Sequence, residues 1–309
     1  MSRGWHPDDM PDQSERTVLV TGCTVGGLGF HTALELARRG ARVVLAGRSD
    51  DKVAEAERRI TDEVPTADLS RLVIDLADLS SVRRAAADAG TVGPIHCLVN
   101  NAGVMATPES YTPDGFELQL ATNHLGPFLL TGLLLPQLVA SGDGRVVAVS
   151  SQMHRVAKRA PLEDPRARIS HYRRWPTYAR SKLANLLFTF ELDRRCRAAD
   201  LPVKALAAHP GYAGTHLVVN GQVGGLGGPV ASILHAANRA VSAPAAAGAL
   251  PVLMAATDDL PGSTYCGPGG AGESRGAPRL VGCTALARDE QAQRAMWELS
   301  ERAVGLDYP

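Results

Sequence analysis

Short apolar runs alternate with longer amphipathic stretches along most of this chain. The runs are rich in valine, leucine and isoleucine, whereas the stretches between them, such as 29–40 and 51–60, have the composition of helices. Apolar strands separated by helices are typical of a parallel sheet that is covered on both faces. The predicted strands are residues 17–21, 42–47, 71–75, 95–100, 145–150 and 203–209. The pattern predicts a doubly wound parallel sheet in a three-layer α/β/α, Rossmann-type single domain over 17–309, after a flexible N-terminal segment, 1–16.

Two regions interrupt this alternation of predicted strands and helices. Residues 154–176 are rich in arginine, and residues 212–247 consist largely of glycine, alanine and valine. Ligands of doubly wound folds bind beyond the carboxyl ends of the strands, so we expect substrate loops near 152–176 and 212–247. The basic region has two interpretations, an anion-binding loop or a solvated loop, and the second is favoured. Isolated histidines in loops are usually exposed, which is the expectation for His154 and His171.

The last part of the chain has apolar residues at helical spacing. They are Ala292, Ala295, Met296, Leu299 and Ala303. This spacing places one apolar stripe along a helix, and a helix of this kind usually packs on a core. We expect a packing helix rather than a site.

Composition and charge exclude several classes of protein. The chain has 309 residues, 45% of them apolar, and its 32 basic and 32 acidic residues cancel, which argues against a general nucleic-acid binder. Five dispersed cysteines show no metal-ligand spacing and indicate free thiols in a reducing compartment, with no metal site. The start lacks a signal-peptide pattern, and the most apolar window, 125–140, is too short and too rich in proline to span a bilayer. We expect a cytoplasmic protein without a membrane anchor.

A glycine cluster follows the first predicted strand directly, in TGCTVGGLG at 21–29. Glycines at a strand–helix junction let the backbone approach a diphosphate at the helix N-terminus. The second predicted strand ends at Arg48 rather than at the acidic residue that would bind the ribose of NAD. A guanidinium suits a 2′-phosphate, so NADP is favoured over NAD; an ordinary surface arginine is the alternative.

Tyr178 and Lys182 lie four residues apart in YARSK, on one face of a predicted helix. A phenol has a pKa of about 10, and a neighbouring ammonium lowers it, which would make Tyr178 a usable general acid or base. Lys182 is one of only four lysines in a chain that uses arginine almost everywhere else. Upstream, another predicted strand ends at Ser150 and Ser151, whose hydroxyls can polarise a carbonyl oxygen.

Taken together, these motifs resemble the short-chain dehydrogenase/reductase family over nearly the whole chain, about 17–309. The chain is most similar to the retinol-dehydrogenase-like and WW-domain-oxidoreductase-like branch. The residues that carry the resemblance are TGCTVGGLG at 21–29, Asp75-Leu76, NNAG at 100–103, Asn123, the serines at 150–151, YARSK at 178–182 and HPGYAGT at 209–215.

The resemblance implies an NADP(H)-dependent oxidoreductase that interconverts a carbonyl and an alcohol by hydride transfer. It implies a catalytic set of Asn123, Ser151, Tyr178 and Lys182. Tyr178 would exchange the proton, Lys182 would lower the tyrosine pKa and hold the ribose, Ser151 would bind the substrate oxygen, and Asn123 would orient a water at a helix irregularity. The implied cofactor-binding residues are Gly22, Gly27, Leu28, Gly29, Arg48, Asp75, Leu76, Asn101, Ala102, Gly103, Tyr178, Lys182, Pro210, Gly211 and Thr215.

The family also implies a homodimer or homotetramer, in which the helix after Asn123 and the helix bearing Tyr178 pack across subunits. The apolar region at 212–247 suggests a small lipophilic carbonyl or alcohol substrate. One departure concerns the glycine loop, which is one residue longer than the family's and is expected to absorb that residue as a bulge. Two alternatives are a non-catalytic NADP(H)-binding sensor or scaffold and a redox-assisted epimerase or dehydratase.

Overall fold

The computed structural model describes residues 4–211 and 244–309, which form an eight-stranded sheet with the order β3-β2-β1-β4-β5-β6-β7-β8. Neighbouring strands are parallel except for β7 and β8, which are antiparallel. The strands are β1 (Thr17–Thr21), β2 (Arg42–Gly47), β3 (Leu69–Val73), β4 (Cys97–Asn100), β5 (Gly144–Val149), β6 (Val203–Ala208), β7 (Tyr265–Pro268) and β8 (Pro278–Leu280). The predicted fold class is confirmed.

Helices cover both faces of this sheet. They are α1 (Leu28–Arg38), α2 (Asp50–Glu63), α3 (Leu79–Ala89), α4 (Leu118–Leu120), α5 (Gly126–Ala140), α6 (Arg174–Ala198), α7 (Ala245–Thr257) and α8 (Glu290–Val304). A π-helical turn, Ala121–Leu125, joins α4 to α5. Strand alternation divides the apolar residues between the two layers, since Leu19 packs in one core and its neighbours Val18 and Val20 pack in the other.

The N-terminal segment is attached to the domain, although its composition predicts a flexible segment. The backbone N–H of Gln13 donates to the carbonyl of Arg39 at 2.9 Å, and the Arg39 guanidinium donates to the carbonyl of Pro7 at 2.9 Å. Met10 is buried. Residues 4–16 therefore pack on the domain through Trp5, Met10 and a few hydrogen bonds, which composition alone does not reveal.

The C-terminal helix α8 packs against α5 and α6. Its Trp297 is fully buried and stacks on Phe188 of α6 with ring centroids 5.9 Å apart and an angle of 15° between the planes. Trp297 also contacts Phe128 of α5 at 5.0 Å and the terminal Tyr308 at 4.7 Å. The expected packing helix is present.

Helix α8 packs on α6, one of the two helices that were expected to pair across subunits. Every residue of α6 from 181 to 193 is buried, because the sheet lies on one side of the helix and α8 lies on the other. Within the described residues, α8 therefore covers the side of α6 that faces away from the sheet. None of the helices in 4–211 and 244–309 is long and apolar enough to cross a membrane.

Candidate active site

A cavity of about 490 Å³ opens at the carboxyl ends of β1, β2 and β4, where the strand order reverses. Gly22 closes β1 with φ +79°, and a Cβ on it would lie 2.9 Å from the Cα of Ala102. Gly29 lies under the same turn, where a Cβ would meet the Asn101 amide at 2.6 Å. These glycines allow the backbone of the first turn to approach the loop after β4. Of the predicted cofactor residues, the cavity is lined by Gly22, Gly27, Leu28, Arg48, Asp75, Leu76, Asn101, Ala102 and Gly103.

The additional residue of the glycine loop lies in a tight turn between β1 and α1. The N–H of Gly27 donates to the carbonyl of Thr24 at 2.8 Å, and the N–H of Thr24 donates to the carbonyl of Gly22 at 3.1 Å. Helix α1 then begins at Leu28 with its N-terminus beside the cavity. The loop therefore keeps the strand–turn–helix arrangement that binds anions at a helix N-terminus.

Two cationic side chains line the cavity at the end of β2. Arg48 follows the strand directly, and Lys52 comes from the first turn of α2. Asp50, the nearest acid in sequence, forms an ion pair with Arg71 at 2.9 Å instead. This corner of the cavity therefore carries two positive charges, of which Lys52 was not predicted as a site residue.

Tyr178 and Lys182 are both buried on α6, beside the end of β5. The Ser151 hydroxyl lies close enough to the Tyr178 phenol to lower its pKa, and the Lys182 ammonium lies 5.9 Å from the centre of the Tyr178 ring. Lys182 donates to the carbonyl of Val149 at 2.9 Å. The neighbouring Ser150 donates instead to the carbonyl of Lys182 at 2.8 Å. The second serine of the pair, and not the first, therefore faces the phenol.

Asn123 lies in the π-helical turn and is fully buried. Its Oδ1 accepts from the N–H of Val104 at 2.7 Å, and its Nδ2 donates to the carbonyl of Val104 and to Ser181 Oγ, both at 2.9 Å. A Cβ on Gly103 would lie 2.9 Å from Asn123 Oδ1 and 3.5 Å from Lys182 Nζ. Gly103 thus joins the cavity to the Tyr178 cluster, and Asn123 fixes the loop between them.

Comparison with known proteins places this geometry in a family. A family model described as short chain dehydrogenase matches residues 16–162. Human retinol dehydrogenase 13 is 37% identical over 301 residues, which cover 95% of this chain and 86% of the relative. A crystal structure of an uncharacterised protein from Mycobacterium Paratuberculosis is 41% identical, with a TM-score of 0.80, over 99% of this chain and 100% of that chain. A gluconate 5-dehydrogenase from Beutenbergia cavernae, described as NAD(P) dependent with bound NADP, is 26% identical with a TM-score of 0.62 over 80% and 92%.

The chain belongs to the short-chain dehydrogenase family. Within it the chain lies in the retinol-dehydrogenase-like branch, as the motifs predicted. A short-chain dehydrogenase of this kind is an oxidoreductase that acts on CH–OH groups, which confirms the predicted enzyme class.

The cavity of this short-chain dehydrogenase fits a nicotinamide dinucleotide. Gly22 and Gly27 line it beside the N-terminus of α1, where a diphosphate is bound in such folds, and the positive corner at Arg48 suits the adenosine end. Thr107 and Thr122 line the cavity as well, and their hydroxyls are buried without a hydrogen-bond partner among the described residues.

Burial dominates the electrostatics of the proton-exchanging pair. It raises the pKa of Tyr178 to about 12, although the Ser151 hydroxyl opposes the shift, and it lowers the pKa of Lys182 to about 8. That Lys182 lowers the tyrosine pKa stays a prediction, since the shift described here comes from burial and from the Ser151 hydroxyl. The ammonium donates to the Val149 carbonyl and lies 5.9 Å from the centre of the Tyr178 ring.

The remaining predicted residues lie elsewhere. Pro210 and Gly211 follow β6 and pack on the loop between β7 and β8, outside the lining of the cavity. Thr215 and most of the predicted loop at 212–247 lie outside the described residues; from 245 onward the chain forms α7.

Several arginines of the basic region at 154–176 contact aromatic rings or carboxylates of the chain itself. The guanidinium of Arg166 lies 4.4 Å above the Phe116 ring, and that of Arg168 lies 3.8 Å above the Tyr111 ring. Arg159 pairs with Glu163 at 3.2 Å. These contacts favour the interpretation without a bound anion.

The expectation that His154 is exposed is wrong, although His171 is exposed as expected. The His154 ring is fully buried, and its Nδ1 lies 2.7 Å from the carbonyl oxygen of Ser151. Its partner Tyr265 belongs to β7, a four-residue strand that the sequence pattern did not reveal. For the contact with Ser151, the only local signal was that His154 follows this serine by three residues.

Proposed function

We propose that this short-chain dehydrogenase interconverts a ketone or aldehyde and an alcohol with NADP(H), and that Tyr178 exchanges the proton with the substrate oxygen. The observation that supports it is the convergence of Tyr178, Ser151 and Lys182 beside Gly103, at the edge of the dinucleotide cavity. With Asn123 as the fourth, these residues come from three motifs that are far apart in the sequence.

In the reductive direction, Tyr178 donates its phenolic proton to the carbonyl oxygen as the carbon is reduced. A bound nicotinamide supplies hydride to that carbon, or accepts it in the reverse direction. Ser151 donates a hydrogen bond to the same oxygen and polarises the C=O bond. Burial raises the pKa of Tyr178 to about 12, so the phenol holds a proton that it can donate in reduction, and the phenolate takes the proton back in the reverse direction. Lys182 stabilises the phenolate that remains after the transfer.

We predict that kcat/KM for carbonyl reduction falls as the pH rises through about 8, because the Lys182 ammonium then loses its proton. The sign follows from the charge: the ammonium is present below its pKa and absent above it, whereas Tyr178 stays protonated up to about 12. A pH profile of kcat/KM reports the groups of the free enzyme and measures this directly. The profile of Lys204→Ala, which removes an exposed lysine paired with Asp259, should match that of the unmodified chain. A profile that is flat through this pH would contradict the assignment.

NADP is the proposed cofactor in preference to NAD, because Arg48 and Lys52 line one corner of the cavity while Asp50 is paired with Arg71. We predict that Arg48→Ala raises the Kd of NADPH about 10- to 100-fold, as expected for one lost hydrogen bond to a charged group, and leaves the Kd of NADH nearly unchanged. Fluorescence titration of both cofactors measures the ratio. The control is Arg42→Ala, at the opposite end of β2, and an equal loss for NADPH and NADH would contradict the preference.

A lipophilic carbonyl compound or alcohol is the proposed substrate, supported by the apolar composition of 212–247 and by the retinol in the name of a relative. A homodimer or homotetramer is also proposed, supported by the likeness to short-chain dehydrogenases.

The function is tested by supplying NADPH with a panel of lipophilic aldehydes and ketones. Oxidation of NADPH with formation of the alcohol supports the proposal. NADPH binding without turnover of any carbonyl would overturn it in favour of a sensor or scaffold, and conversion without net NADPH consumption would favour an epimerase or dehydratase.

A further inference from the structure

Glu273 lies in the loop between β7 and β8 and joins two parts of the chain that border the site. Its Oε1 lies 3.1 Å from Nη2 of Arg155 and its Oε2 lies 3.2 Å from the same nitrogen. The same Oε2 lies 3.2 Å from Nε2 of His209. One carboxylate, whose side chain is only 20% exposed, therefore accepts from a guanidinium and from an imidazole.

Arg155, one of the two partners of Glu273, lies in the turn that begins at Ser151. Arg155 belongs to the 3-10 turn Gln152–Val156, and Ser151 is the N-cap of that turn. Arg155 also donates to the carbonyl of Gly282 at 2.6 Å, and Gln152 donates to the carbonyl of Gly272 at 2.5 Å. The turn that begins at Ser151 is thus held by side-chain contacts to Glu273 and Gly272 of the β7–β8 loop and by a third to Gly282, just after β8.

His209, the other partner of Glu273, directly precedes Pro210 and Gly211 in the chain. The His209 ring is fully buried, and its Nδ1 accepts from the N–H of Gly211 at 3.1 Å. This contact assigns the proton of the neutral ring to Nε2, which donates it to Glu273. Burial lowers the pKa of His209, so the ring is neutral at neutral pH.

The packing around this histidine leaves little freedom. A Cβ on Gly267 of β7 would overlap the imidazole of His209, and a Cβ on Gly211, which has φ +71°, would overlap the carbonyl of Ser274. The loop that carries Glu273 is therefore seated directly on the turn after β6, as well as on the turn after β5.

We infer that Glu273 is a positioning residue for the proposed carbonyl–alcohol reaction, on which this inference rests. Its carboxylate holds the Ser151 turn and the His209–Gly211 turn in a fixed relation, so that the Ser151 hydroxyl stays directed at Tyr178 while the substrate oxygen binds. Glu273 touches neither Tyr178 nor the cofactor cavity in the described structure, so it acts through Arg155 and His209.

Glu273→Ala removes both links at once. We expect kcat to fall about 100-fold, the loss that misplacement of a reacting group by about 1 Å can cause, while the Kd of NADPH stays unchanged. Glu273→Gln keeps an amide oxygen that can accept from both partners, and most of kcat should return. The control is Glu301→Ala, which removes a carboxylate of similar exposure, 17%, from α8, where it accepts from Trp297, and should leave kcat unchanged.

Hydrogen exchange tests the link independently of turnover. In Glu273→Ala the amides of 151–157 and of 205–211 should both exchange about tenfold faster or more, since a hydrogen bond to a charged group has been lost on each side, and in Glu301→Ala they should not. Unchanged exchange in both segments, or a kcat within about twofold of the unmodified chain, would overturn the inference. A chain without any carbonyl turnover would refute the proposed function instead, and the exchange result would still decide whether Glu273 holds the two turns.

Discussion

Replacing Tyr178 with phenylalanine is expected to lower kcat for carbonyl reduction about 10²- to 10⁴-fold, the usual contribution of a positioned general acid. The ring and its packing are retained, and only the proton that the substrate oxygen must receive is removed. Since Tyr178 does not line the dinucleotide cavity in the described structure, the Kd of NADPH should change little. Steady-state kinetics and a fluorescence titration on the same preparation measure both quantities.

Tyr111→Phe is the matched control for this prediction. It also removes one phenolic hydroxyl, but that hydroxyl donates to Glu109 and accepts from the N–H of Ile169, both at 3.0 Å, and contacts neither Ser151 nor Lys182. Turnover of Tyr111→Phe should equal that of the unmodified chain. Full activity of Tyr178→Phe would end the assignment of Tyr178 as the proton donor.

Replacing Trp297 with alanine is expected to lower the free energy of unfolding by about 3–5 kcal/mol, as for other fully buried tryptophans. The indole stacks on Phe188, contacts Phe128 and Tyr308, lies under the Arg195 guanidinium at 4.6 Å, and donates to Glu301 at 2.6 Å. Its loss leaves a cavity between α8 and the helix that carries Tyr178. Urea unfolding followed by circular dichroism measures the change.

Trp175→Ala is the control for stability, because Trp175 is 37% exposed at the start of α6. Its effect on the free energy of unfolding should stay within about 0.5 kcal/mol. An equal and small effect of both substitutions would contradict the packing of α8 described here, in which Trp297 contacts Phe128 of α5 and Phe188 of α6.

The central sheet was predictable because its strands are apolar on both faces. The bounds of β1 and β2 agree with the apolar runs at 17–21 and 42–47, and β3 begins two residues before the run at 71–75. The strands β7 and β8 were missed. They have four and three residues, and they consist mostly of glycine, proline and polar residues, so neither length nor periodicity distinguishes them from loops.

The site residues that belong to a sequence motif were predictable, whereas contacts that only the tertiary fold brings about were not. Tyr178 and Lys182 share a helix face, so their spacing alone brought them together. The Glu273 contacts join residues 118 and 64 positions apart, and no local pattern reports such a pairing. The desolvation that raises the pKa of Tyr178 depends on tertiary packing, which the spacing of the tyrosine and the lysine does not show.

Transfer of hydride from NADPH to a carbonyl carbon is the central claim, and NADPH deuterated at the transferable position tests it most directly. With a lipophilic aldehyde or ketone that the chain reduces, mass spectrometry should find one deuterium on the carbinol carbon of the product, and Tyr178→Phe should nearly abolish its formation. Conversion of substrate without deuterium in the product, or NADPH binding with no conversion of any carbonyl compound, would contradict the account.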